Sequence, residues 1–145
     1  MFAAVTLERG RVYWWRPRGL SMAPTIRDGD RVLIAPVTAT SLRLGDVVKF
    51  WLEGELRLHR LIRRGSSPDG AWLEFQGDRL TQPDPHVRPT AVIGIARAVE
   101  RDGRLRRLDS LPARLVALVR VGVARVRTDR GGRWSRTGGG WGRGP

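Results

Sequence analysis

Between Leu20 and about Ala98 the chain offers no helix-length amphipathic pattern, only strand-sized runs separated by Gly, Asp and Pro turn signals. The runs Arg31–Ala35, Val47–Leu52, 56–62, 71–76 and 91–98 are rich in Val, Ile, Leu, Phe and Trp, which fit a pleated, half-buried surface. Glu53-Gly54-Glu55 between two of them suits a hairpin, so 47–52 and 56–62 are expected to pair antiparallel. Residues 65–70 read as a loop by composition, and 82–86 as another because two prolines each remove a ladder donor. This pattern predicts a mainly β fold, an antiparallel β domain.

At 145 residues the chain holds one core rather than two. It has no cysteine, so neither disulfides nor thiolate metal sites support the fold, and neither a metal nor another cofactor is called for. The division expected is an N-terminal extension over 1–16, a β domain over 17–108, a basic helix over 109–128 and a disordered tail over 129–145. In the helix, Leu111, Leu115, Leu118, Val119, Gly122 and Val126 share one face at ~100° per residue. Arg114, Arg120, Arg125 and Arg127 lie on its flank and opposite side. Ser110 is a suitable N-cap, and Pro112 is tolerated in the first turn. The tail is mostly Gly, Arg and Trp, with too little apolar content to offset the entropy of ordering it.

The formal net charge is +13, and Lys49 is the only lysine. Residues 1–100 carry 15 basic and 11 acidic side chains, whereas 101–145 carry 12 and 3, so the excess sits at the C-terminal end. Such a tail is drawn to anionic lipid and to nucleic-acid phosphate alike, because both release counterions as Arg approaches. Composition does not choose between them; an anionic membrane surface is the first expectation and nucleic acid the second. A secretory signal is not read, since Glu8, Arg9 and Arg11 closely follow Met1 to Thr6. No apolar run reaches the ~18–20 residues of a spanning helix, the best stretch, 115–126, being broken by Arg120 and Arg125. The expected location is cytoplasmic or peripheral at a membrane. Trp14, Trp15, Trp51 and Trp72 fit either a membrane-facing edge or core packing.

Gly19-Leu20-Ser21-Met22-Ala23-Pro24 sets one serine in a Gly/Pro-constrained turn ahead of a strand. A serine hydroxyl is a weak nucleophile at neutral pH and needs a base for its proton and donors for the oxyanion. Only His59, His86 and Lys49 offer a nitrogen base. His59 lies inside an apolar strand, where its ring is held; His86 sits in a proline-bounded loop and reads as solvated, and Lys49 as a charge on a strand face.

These stretches resemble the signal peptidase I family and, more loosely, the LexA-type self-cleaving peptidases that share its β fold, over roughly residues 17–98. The family's Ser-Met-x-Pro box is present as Ser21-Met22-Ala23-Pro24, and its Gly-Asp-x-Val strand entry occurs at Gly29-Asp30-Arg31-Val32 and Gly45-Asp46-Val47-Val48. His59-Arg60 matches the histidine branch of the archaeal and endoplasmic-reticulum type. Gly77-Asp78 followed by Asp84 matches the last box. The resemblance implies a serine-type endopeptidase with Ser21 as nucleophile and His59 as general base, oriented by Asp78, Asp84 or both. Its expected substrate is an extended peptide or preprotein segment with small residues near the cut. The family's N-terminal membrane anchor is not seen. Gly19 stands where many members have a serine that supports the oxyanion, which leaves backbone N–H groups such as that of Ser21. A LexA-like regulator that cleaves itself or a partner, and a catalytically silent peptide-binding module, stay open as alternatives.

Overall fold

The computed structural model describes residues 9–134, with side chains as far as 127. Two short turns set much of the topology. Glu53-Gly54 and Asp102-Gly103 all take positive φ, the backbone that two-residue hairpins favour because its twist matches that of the strands. The first joins β3 (Val47–Leu52) to β4 (Glu55–Ser67), with Leu52 opposite Glu55 and Val47 opposite Arg60, so the anticipated hairpin forms. The second joins β6 (Val92–Arg101) to β7 (Arg104–Arg107).

With β1 (Tyr13–Trp15), β2 (Arg31–Ala35) and β5 (Gly70–Gln76) these strands form one antiparallel sheet in the order β1-β2-β6-β3-β4-β5. β6 is its spine: β2 lines one edge, while β3 and β7 share the other. A single helix, α1 (Leu111–Trp134), follows. The fold is mainly antiparallel β with one C-terminal helix, as the run pattern predicts.

Two apolar clusters, on alternating positions of the strands, hold the sheet. One contains Val48, Phe50, Leu61 and Phe75, with the rings of Phe50 and Phe75 stacked at 4.2 Å between centroids. The other contains Met22, Ile26, Val32, Val47 and Leu58 and takes in Tyr13 and Trp15 at its margin. Each fully buried phenylalanine contributes about 2–3 kcal/mol through area removed from water. Met22 and Ile26 thereby fasten the Ser21 turn to the core.

Both Gly-Asp-x-Val entries prove to be the same device. In Arg27-Asp28-Gly29-Asp30 the Asp30 carboxylate accepts the Arg27 N–H at 2.8 Å, and in Arg43-Leu44-Gly45-Asp46 the Asp46 carboxylate accepts the Arg43 N–H at 2.7 Å. Each carboxylate then takes a distant guanidinium, Arg101 for Asp30 and Arg114 of α1 for Asp46. One box therefore ties the sheet to itself and the other ties the sheet to the helix.

Several expectations need correction. The segment read as an N-terminal extension over 1–16 supplies β1, whose indoles pack on β2 and the core margin. Residues 65–67 and 70 are paired strand rather than loop, leaving Pro68-Asp69 as the turn. Gly65 lies opposite Trp72, whose ring would be 2.5 Å from any added Cβ. β7 gave no apolar signal because all four of its residues are exposed. The helix begins at Leu111 and runs to Trp134, beyond the 109–128 expected and into the stretch read as disordered tail. Of that tail, residues 135–145 lie outside the described residues. The four tryptophans form no continuous edge, since β1, β3 and β5 are separated by other strands. Trp14 instead stacks under the Arg31 guanidinium and Trp72 on the His86 ring.

Candidate active site

In a strand pair, directly opposed residues face the same side of the sheet. Val48 is opposite His59 and Lys49 opposite Leu58, so the two candidate bases leave the sheet on opposite faces. Lys49 is not a solvated strand-face charge. It is fully buried, donates to the Tyr13 hydroxyl at 2.9 Å, and lies 4.1 Å from the centroid of the Trp15 ring. An aromatic surrounding of this kind holds a cation by its ring quadrupoles.

His59 is buried on β4 beside Phe50, whose ring meets the imidazole edge-on at 6.2 Å. Its Nε2 is 3.0 Å from Ser21 Oγ and its Nδ1 is 2.5 Å from Asp84 Oδ2. A carboxylate only accepts, which assigns the N–H to Nδ1 and leaves Nε2 to accept from the serine hydroxyl. Asp84 is itself held from its other oxygen, Oδ1, by Arg57 Nη1 at 2.7 Å. Arg57 and His59 are two apart on the same strand and so share a face, the alternation that brings both to one aspartate.

The segment that delivers Asp84 was read as a loop. It runs alongside β5: the Asp84 N–H donates to the Phe75 carbonyl at 2.8 Å, and Val87 bridges Leu73. Its prolines rule out a full ladder strand but leave the Asp84 N–H free to bond.

Ser21 is placed from two sides. Its turn is closed by the Ala23 N–H to the Leu20 carbonyl at 3.0 Å, and the Ser21 carbonyl accepts the Arg79 N–H at 2.9 Å. Gly77 lets that approach happen, because a Cβ there would stand 2.6 Å from the Ser21 carbonyl oxygen. Gly19 has φ +91°, a backbone that a serine side chain tolerates poorly, which accounts for glycine two positions before Ser21.

Asp78, the other candidate partner of His59, does not touch it. It accepts two hydrogen bonds from Arg60, Nε and Nη2 each at 2.7 Å, and one from Thr25 Oγ1 at 2.6 Å. Arg60 Nη1 donates in turn to the Gly45 carbonyl, and Arg120 of α1 lies 3.7 Å from Asp78 Oδ2. Asp78 thus links the Ser21 turn, the strand that bears His59 and the helix. Arg57 and Thr25 escaped the sequence reading; the i, i+2 spacing to His59 was a usable signal for the first, and nothing local marked the second. His86 stays half exposed, 3.4 Å from Glu74 and stacked on the Trp72 ring.

Ser21 and His59 open into a cleft of about 430 Å³, whose walls include Trp15, Arg18, Met22, Leu56 and Leu58. A hydroxyl, an imidazole and a carboxylate in hydrogen-bonded line, with the hydroxyl facing a cleft, have the arrangement for nucleophilic acyl transfer. Among the described residues no cluster of side chains suits a metal ion, and no helix is long and apolar enough to cross a membrane. The model of a family described as Peptidase S24-like matches residues 1–94. No curated protein matches the chain.

Proposed function

The chain belongs to the Peptidase S24-like family and carries a serine peptidase-like domain of LexA-like fold, and from that premise we propose that it is an endopeptidase using Ser21, His59 and Asp84. His59 takes the Ser21 proton as the hydroxyl attacks a scissile carbonyl, and the imidazolium then protonates the leaving amine. Water, deprotonated by the same imidazole, releases the acyl group from Ser21. Asp84 fixes the tautomer and balances the cation, while Arg57 fixes Asp84. The Ser21 N–H makes no hydrogen bond among the described residues and is available to an oxyanion. Asp78 is a positioning residue.

The single observation that carries this reading is the imidazole bridging Ser21 Oγ at 3.0 Å and Asp84 Oδ2 at 2.5 Å. The open cleft suits an extended segment supplied from outside, which favours processing of a separate chain, of the exported-preprotein type that the signal peptidase I likeness implies. The family match favours a second reading, a LexA-like regulator cleaving itself or a partner. Incubation of the full chain with an extended-peptide library, fragments identified by mass, tests the peptidase assignment. New termini that appear with wild type and not with Ser21→Ala support it; identical fragments from Ser21→Ala overturn it. Conversion of the chain itself at a rate independent of its concentration would select the self-cleaving form.

A further inference from the structure

Helix α1 docks the wrong way round for a helix whose apolar stripe seeks the core. Its contacts with the sheet run through Ala117 and Val121, 6% and 5% exposed, and through three arginines. Arg114 pairs with Asp46, Arg120 lies beside Asp78, and Arg125 Nε donates to the Ile62 carbonyl at 3.0 Å. The acids and the carbonyl on the sheet thus claim the basic face. The stripe of large aliphatic residues is left outside, with Leu111 82%, Leu115 66% and Val119 67% exposed and Leu118 and Val126 at least half so. It borders a groove of about 420 Å³ whose far wall includes Leu80, 39% exposed. Single exposed aliphatics are ordinary, but a contiguous set on one face marks a binding surface.

We propose that this outward face of α1 lies in the interfacial region of an anionic lipid bilayer and holds the domain at the membrane surface. The stripe carries no charge and is aliphatic throughout, which gives the phosphates of a nucleic acid nothing to pair with. Exposed arginines flank it along the chain: Arg127 on α1, and Arg104 and Arg106 on β7 just before it, where Leu105 is 62% exposed and Arg106 also donates to the Thr25 carbonyl. With a formal net charge of +13, two copies facing each other here would repel, whereas an anionic headgroup layer attracts the same rim. A helix with one aliphatic face and basic flanks gains affinity from both buried area and charge, and the attachment is reversible. The inference is independent of the peptidase chemistry.

The chain has no cysteine, so Val119→Cys in the full chain carries a single polarity-sensitive dye. Vesicles of phosphatidylcholine mixed with phosphatidylglycerol are expected to shift its emission to the blue, and vesicles of phosphatidylcholine alone to shift it much less. Leu115→Asp combined with Leu118→Asp, in a protein of unchanged circular dichroism, is expected to weaken co-sedimentation with the mixed vesicles by about tenfold or more. Undiminished co-sedimentation of that variant overturns the proposal, as does an equal response to neutral vesicles. A blue-shifted dye before any lipid is added, with or without concentration-dependent dimerisation, shows the face covered by protein and also overturns it.

Discussion

His59 and Arg60 are neighbours on β4, and each meets an aspartate, but on opposite faces of the sheet and to different ends. On one face the imidazole joins Asp84 to a hydroxyl that opens into a cleft. On the other the guanidinium and Asp78 share two hydrogen bonds, and each makes one more to the scaffold, Arg60 to the Gly45 carbonyl and Asp78 from Thr25. The first pair ends on a hydroxyl that faces a cleft; the second ends on a turn threonine and a backbone carbonyl. Under the proposed mechanism, two side-chain pairs drawn from the same strand divide chemistry from construction. What separates them is whether the partner on the far side is a potential nucleophile or a backbone and helix to be fixed.

The sharpest way to break the contrast is at Ser21 and His59. Ser21→Ala or His59→Ala is expected to lower peptide cleavage by about 10⁴-fold or more, with little change in the melting temperature of Ser21→Ala. Asp84→Asn is expected to cost about 10³–10⁴-fold in turnover by releasing the tautomer, measured on the same peptide. Asp78→Asn should reverse the balance. It leaves the buried Arg60 charge unpaired and lowers unfolding free energy in urea by about 3 kcal/mol, while turnover per folded molecule falls far less than in Asp84→Asn. A result in which Asp78→Asn removes activity at full stability would erase the distinction.

Acid offers a smaller, graded test on the scaffold. The Arg101 guanidinium beside Asp30 holds its carboxyl below the ordinary value of 3.8, against the opposing effect of burial. A carboxyl lowered by folding stabilises fully above its unfolded pKa, and that contribution is lost as pH falls through the folded pKa. Wild type is therefore expected to lose stability below about pH 3.8 more steeply than Asp30→Asn, in urea titrations across that range. The smallest effect on turnover is expected from Lys49→Met, whose side chain is on the far face from His59.

The elements that could be read from the chain were those whose signal is local. β2 and β3 were legible to the residue because alternating and continuous apolar runs bounded by Gly-Asp turns leave little choice of limits. β7 and the true docking face of α1 were not, because both depend on distant partners. Arg-Leu-Arg-Arg becomes a strand only by lying against β6, and α1 turns its arginines inward only because Asp46, Asp78 and the Ile62 carbonyl wait there. At the site, Ser21 stood out by its Gly/Pro-bounded turn and Ser-Met-x-Pro box, and His59 by its place inside an apolar strand. The choice between Asp78 and Asp84 needed the fold, since both follow turn-forming residues and only the route of residues 82–87 along β5 decides which reaches the imidazole.

The measurement that bears most directly on the account is acylation of Ser21 by a penem-type β-lactam, read by intact mass in wild type, Ser21→Ala, His59→Ala and Lys49→Met. One covalent adduct is expected on wild type and on Lys49→Met, and none on the Ser21 and His59 variants. An adduct that survives His59→Ala but disappears with Lys49→Met, in proteins of unchanged circular dichroism, would contradict it.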